Sequence, residues 1–115
     1  LALNSLYTAN LLWEAYASSY DLVMYTRPDM AYTTPLSAFD LQRLQDFRDR
    51  GEDAWLRASW QSWFGDCDRF AIGTPGAMTV WGKRLHNTIE YINQGNRLGS
   101  ETYLHWAMRK YVHLL

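Results

Sequence analysis

The chain has 115 residues, 48% of them hydrophobic and 20% charged, with seven Gly, three Pro and one cysteine, Cys67. That composition reads as one globular domain over residues 1–115 and excludes collagen-like, low-complexity and disordered chains. Eleven basic against twelve acidic side chains leave a net charge of −1, unlike a general nucleic-acid binder, and no apolar run reaches the roughly 18 residues of a membrane-spanning helix.

The chain begins on Leu1 and ends on Leu114-Leu115, which reads as a processed form or a piece of a longer protein. Its first residues lack the charged and apolar regions of a signal peptide. A lone cysteine makes no internal disulfide and no zinc framework, and it agrees with a reducing, intracellular compartment. Six Trp, eight Tyr and four Phe supply the core instead. Each buried ring contributes about 4–6 kcal/mol of gross burial before entropy is subtracted.

Leu6, Ala9, Trp13, Tyr16, Tyr20 and Val23 are spaced 3, 4, 3, 4, 3, which predicts a helix capped by Asn4 or Ser5 and ended by Arg27-Pro28-Asp29. Leu11, Ala15 and Leu22 make a second apolar side, as expected of a central helix packed on more than one neighbour. Asn10, Glu14 and Asp21 form a polar line between the two sides. It reads as a narrow solvent face, with Glu14 as the marker of a ligand slot in the alternative reading.

Residues 26–34 read as a loop. Thr34-Pro35 and Ser37-x-x-Asp40 are N-terminal helix signals, followed by a thin stripe of Leu41, Leu44 and Phe47 and a stop at Gly51. Glu52-Asp53 suits the positive end of a third helix, on which Trp55, Leu56, Ser59, Trp60, Trp63 and Phe64 cover half of the wheel. Core packing is the first reading of that helical arc; because the arc is wider than one neighbour covers, the alternative is that its edge at Trp55 or Trp60 presents an aromatic platform to a partner. Residues 65–74 read as a polar connection anchored by Phe70 and Ile72.

Thr74-Pro75 repeats the cap-plus-proline signal, and Met78, Trp81, Leu85, Ile89 and Ile92 continue at helical spacing to Gly95-Asn96. Ser100 caps the last helix, with Leu104, Ala107, Met108, Tyr111 and Leu115 inward. The fold expected is therefore all-α, a bundle of about five helices in irregular or orthogonal packing with the first helix central.

Chemistry is thinly marked. His86 and Glu90 stand at i, i+4, the spacing at which a carboxylate holds an imidazole, with Asp66, Cys67 and Asp68 as the nearest further ligands. The reading favoured for this spacing is a surface ion pair, with the catalytic or metal role as the alternative. The acids beside Cys67 disfavour its thiolate. The stretch GTPGAMTVWGK lacks the ending of a phosphate loop, and no cofactor or metal is expected.

On the last helix His105, Arg109 and His113 are spaced by four beside Trp106 and Lys110. Trp106 is expected to point away from the core and, with these cations, to face a protein partner. The function expected is a small non-enzymatic helical interaction module or a structural subunit of an assembly. The alternative is an enzyme or small-ligand binder with an inter-helical pocket at Glu14 or His86/Glu90. A weaker one is nucleic-acid contact through the basic face of the last helix.

Overall fold

The computed structural model describes residues 2–27, 36–57, 70–84, 88–96, 100–109 and 113–114. Among them are five α-helices, α1 (Ala2–Glu14), α2 (Ala38–Asp49), α3 (Pro75–Gly82), α4 (Thr88–Asn93) and α5 (Ser100–Arg109). There are also four strands, β1 (Val23–Thr26), β2 (Ala54–Arg57), β3 (Phe70–Gly73) and β4 (His113–Leu114). The sheet overturns the expected all-α bundle: the fold is mixed.

The strand order is β1-β3-β2-β4. β3 is antiparallel to both β1 and β2, and the two residues of β4 run parallel to β2. Side chains alternate across a strand, and both faces are covered. Val23, Tyr25, Trp55 and Ala71 join Met78 and Trp81 of α3, Leu104 and Met108 of α5, and Leu6 and Trp13 of α1. On the opposite face Leu22, Ala54, Leu56, Phe70 and Ile72 meet Leu41, Leu44 and Phe47 of α2.

The turn from β3 into α3 sets the register. Gly73 pairs with both Val23 and Trp55. A Cβ there would lie 2.7 Å from the Ala54 carbonyl oxygen and 2.9 Å from the Trp55 Cβ, so only glycine fits. The next residue, buried Thr74, donates its backbone N–H to the Ala54 carbonyl at 3.0 Å. Its hydroxyl oxygen accepts from the N–H of Ala54 at 3.2 Å and, as the N-cap of α3, from Ala77 at 3.4 Å. The hydroxyl donates to the Asp53 carboxylate at 2.9 Å. Asp53 lies against Gly76 in the first turn of α3, where the helix dipole favours a negative charge. The acid expected to start a helix of its own thus serves a different helix.

Several local signals act as read. Ser37 caps α2 and accepts from the Asp40 N–H at 3.4 Å, although Thr34-Pro35 lies outside the described residues. Gly51 ends that helix at φ 72°, and Gly95 follows α4 at φ 87°. Leu104, Ala107 and Met108 are buried on α5, while Tyr111 and Leu115 lie outside the described residues.

Four expectations are corrected. The first helix ends at Glu14 and is not central: it packs on α3 and leaves Leu11, Leu12 and Tyr16 exposed. The central helix is the short α3, which touches α1, α5 and three strands. The third helix is instead β2; Trp55, 1% exposed, is core as the first reading of its cluster has it, and the alternative of a partner-facing platform at Trp55 is overturned. The polar connection contains β3.

The long helix after Thr74 breaks at Gly82, and α4 is re-phased. Tyr91 turns inward while Ile89 and Ile92 are exposed. Trp106 is half-buried, not free: its ring lies 5.2 Å from Tyr91 and 6.0 Å from Tyr103.

Thr74→Ala removes a helix cap and leaves the buried Ala54 N–H without its acceptor, so it is expected to cost about 2–4 kcal/mol. Thr74→Ser should recover most of that in urea unfolding. An alanine variant within about 0.5 kcal/mol of the parent would show that the junction does not hold the register.

Candidate functional site

Where α1, β1 and α3 meet, polar groups are drawn into the core. Asn10 is fully buried on the face of α1 that the polar line was expected to open to solvent. Its Oδ1 accepts from the Tyr25 hydroxyl at 3.2 Å, and that hydroxyl oxygen accepts from Trp13 Nε1 at 2.8 Å. Gly82 permits this approach. A Cβ at that position would lie 2.4 Å from Asn10 Oδ1 and 2.8 Å from the Tyr25 hydroxyl oxygen. The rings of Tyr25 and Trp81 stand 4.7 Å apart. Asn10 Nδ2 and Trp81 Nε1 are buried donors with no hydrogen-bond partner among the described residues, and each costs about 1–3 kcal/mol.

Charges frame this cluster. Glu14 lies at its edge and forms an ion pair with Lys83 at 2.6 Å. Arg84 is buried, stacks 4.4 Å over the Trp81 ring and donates to the Trp81 carbonyl at 2.6 Å. Tyr103 of α5 donates to the Arg84 carbonyl, tying a third helix to the same turn. Burial pushes the Tyr25 phenol above its ordinary range. The Trp13 hydrogen bond and the Arg84 charge pull it back in part, while Glu14 adds to the rise.

The structure therefore uses Glu14 to close a seam between α1 and the end of α3. Asp21, the third member of the expected line, pairs instead with Arg48 of α2 at 2.8 Å on the surface. No local pattern announces Lys83, Arg84 or Tyr25 as neighbours of Asn10 and Glu14, because strand and helix bring them together from distant positions.

The opposite face of α1 is different in kind. At about 100° per residue, Asn4, Ser5, Thr8, Leu11, Leu12, Ala15 and Tyr16 share one side of the helix and the turn after it, and all are exposed. Leu12 is 76% and Tyr16 63% exposed. Leu12 escaped the sequence reading, although the adjacent pair Leu11-Leu12 is itself a signal: two neighbours on a helix do not share a narrow buried stripe.

The other candidate residues scatter. Glu90 is exposed on α4, while His86, Trp60 and Cys67 lie outside the described residues, so the His86/Glu90 pair is not seen. On α5 Arg109 is exposed and His105 half-buried; His113 belongs to β4. Among the described residues no three His, Cys, Asp or Glu side chains converge as a metal site, and no helix is long and apolar enough to cross a membrane. A scan of protein-family models and searches of curated proteins and of solved structures find no match to this chain.

Two outcomes test this geometry. Gly82→Ala should separate α1 from α3 and cost about 1–3 kcal/mol in denaturant unfolding, and a neutral result would mean that Asn10 and Tyr25 do not sit against that backbone. For Tyr25 the pH dependence has a definite sign. Above the ordinary tyrosine value of 10.0 the unfolded chain loses a proton that the folded chain retains. Stability is thus full below that pH and falls as pH rises toward the raised value. Tyr25→Phe should flatten this alkaline slope, and an unaltered slope would assign the loss to other groups.

Proposed function

We propose that this chain is a small non-enzymatic interaction module or structural subunit of a larger assembly, built on a mixed fold, with the outer face of α1 as its docking surface. The observation that carries this reading is the exposed set Leu11, Leu12, Ala15 and Tyr16 on one side of α1 and the turn after it, where the other side of the helix is packed. Apolar side chains left in water as a coherent patch, rather than scattered singly, are what a partner surface offers in the free state. The partner is a protein, either another chain or a further copy of this one.

The ligand-pocket reading at Glu14 has less support, because the Glu14 carboxylate is already neutralised by Lys83 and Asn10 Oδ1 is held by Tyr25. The reading of the last helix as a partner or nucleic-acid surface is also weakened. Trp106 packs on Tyr91 and Tyr103, so its ring is in part used by the fold and only half-exposed beside Arg109.

A photo-reactive side chain at position 12, introduced into the chain in living cells, should yield a discrete cross-linked adduct. The same group at exposed Gln45 on α2 should not. Equal labelling from the two positions, or none from position 12, would sink the docking face.

A further inference from the structure

We infer that α1 is a strap: it lifts from α3 and β1 as one unit, hinged at the short 3-10 turn Ala17–Ser19, while the sheet, α2, α3 and α5 stay folded. The opening involves the inner face of α1 alone, whatever docks on the outer one. The seam that holds α1 is polar where the rest of the core is apolar. Among the described side chains of α1 only Asn10 is fully buried, and Leu6, Ala9 and Trp13 are half-buried. The neighbouring core is closed by Ala71, Ala77, Met78, Leu104 and Met108, all fully buried and none of them from α1. Local opening takes first the element that buries the least apolar surface.

Opening also relieves a penalty. Asn10 Nδ2 is a buried donor without an acceptor among the described residues, and it reaches water once α1 lifts. Against this stand the Trp13–Tyr25 and Tyr25–Asn10 hydrogen bonds, at 2.8 and 3.2 Å, and the partly exposed Glu14–Lys83 pair. Water replaces each of them at small net cost.

The chain after α1 is built to bend. From Ala15 to Asp21 every residue but Ala17 is exposed, and the 3-10 turn buries none of its side chains. Ala17, Ser18 and Ser19 are small, as hinge positions often are. Beyond the hinge the chain is anchored again. Asp21 pairs with Arg48 of α2 at 2.8 Å, Leu22 packs in the α2 cluster, and β1 is held on β3. The motion therefore stops before Asp21. It uncovers the Tyr25–Trp81 ring pair, 4.7 Å apart, and releases the Tyr25 hydroxyl from both of its partners. A molecule that binds this aromatic face binds only the open chain, and so shifts the two states by its own affinity.

The test is native-state hydrogen exchange of the 115-residue chain, read amide by amide by NMR in rising but sub-denaturing urea. Amides of α1 from Ala9 to Leu12 should be at least about tenfold less protected than those of the central strand β3, with a shallower urea dependence. Ile72→Val, on the sheet face away from α1, should speed exchange in β3 about two- to tenfold and leave α1 unchanged, because the closed and open chains both contain that contact. Trp13→Phe should speed α1 and β3 by one common factor, because the closed chain alone loses the Trp13–Tyr25 hydrogen bond. Acceleration of α1 by Ile72→Val, or equal urea slopes in α1 and β3, would show that the molecule opens only as a whole and would overturn the strap. An α1 that ignores Trp13→Phe would overturn it too, since the helix would then fray within itself rather than leave the seam.

Discussion

The contact on which the rest of the structure depends is the approach of β2 to the turn between β3 and α3. Gly73 has no Cβ, so the Ala54 carbonyl and the Trp55 side chain can close on it. Thr74 then binds both the N–H and the carbonyl of Ala54 while capping α3. One residue pair therefore fixes three things together: the register of β2 on β3, the first turn of α3 and the burial of Trp55. Because Gly73 also pairs with Val23, the position of β1 follows from the same point.

From that junction α3 runs into the middle of the molecule, and its far end repeats the device. Gly82 lets α1 approach until Asn10 and Tyr25 lie against its backbone, as Gly73 lets β2 approach at the near end. The approach carries a cost. Asn10 and Trp81 each bury a donor without an acceptor among the described residues. The gain is specificity of position: Trp13, Tyr25 and Asn10 hydrogen-bond in only one arrangement of α1 on the sheet, and the Glu14–Lys83 pair closes the seam.

This division gives α1 two unlike faces. The inner one is spent on the fold, where polar atoms are held by one another and by Tyr25. The outer one, with the turn after it, leaves Leu11, Leu12 and Tyr16 exposed.

Local chemistry alone determined the punctuation of this chain. Ser37, Thr74-Pro75, Gly51 and Gly95 act within a few residues of themselves, so their meaning survives whatever lies elsewhere, and the inward face of α5 follows from spacing within one helix. Only the tertiary structure decided which apolar runs are strands. Val-Met-Tyr-Thr, Ala-Trp-Leu-Arg and Phe-Ala-Ile-Gly are four residues each, too short for a period of two to be told from one of 3.6. They become strands because Val23 and Trp55 find Gly73 across distant sequence, and Trp55 also finds Leu114. The same pairing turned Trp55 inward, and the packing of α1 on α3 joined Glu14 to Lys83 and left Leu11, Leu12 and Tyr16 exposed. None of this is legible in a helical wheel, which counts only neighbours along the chain.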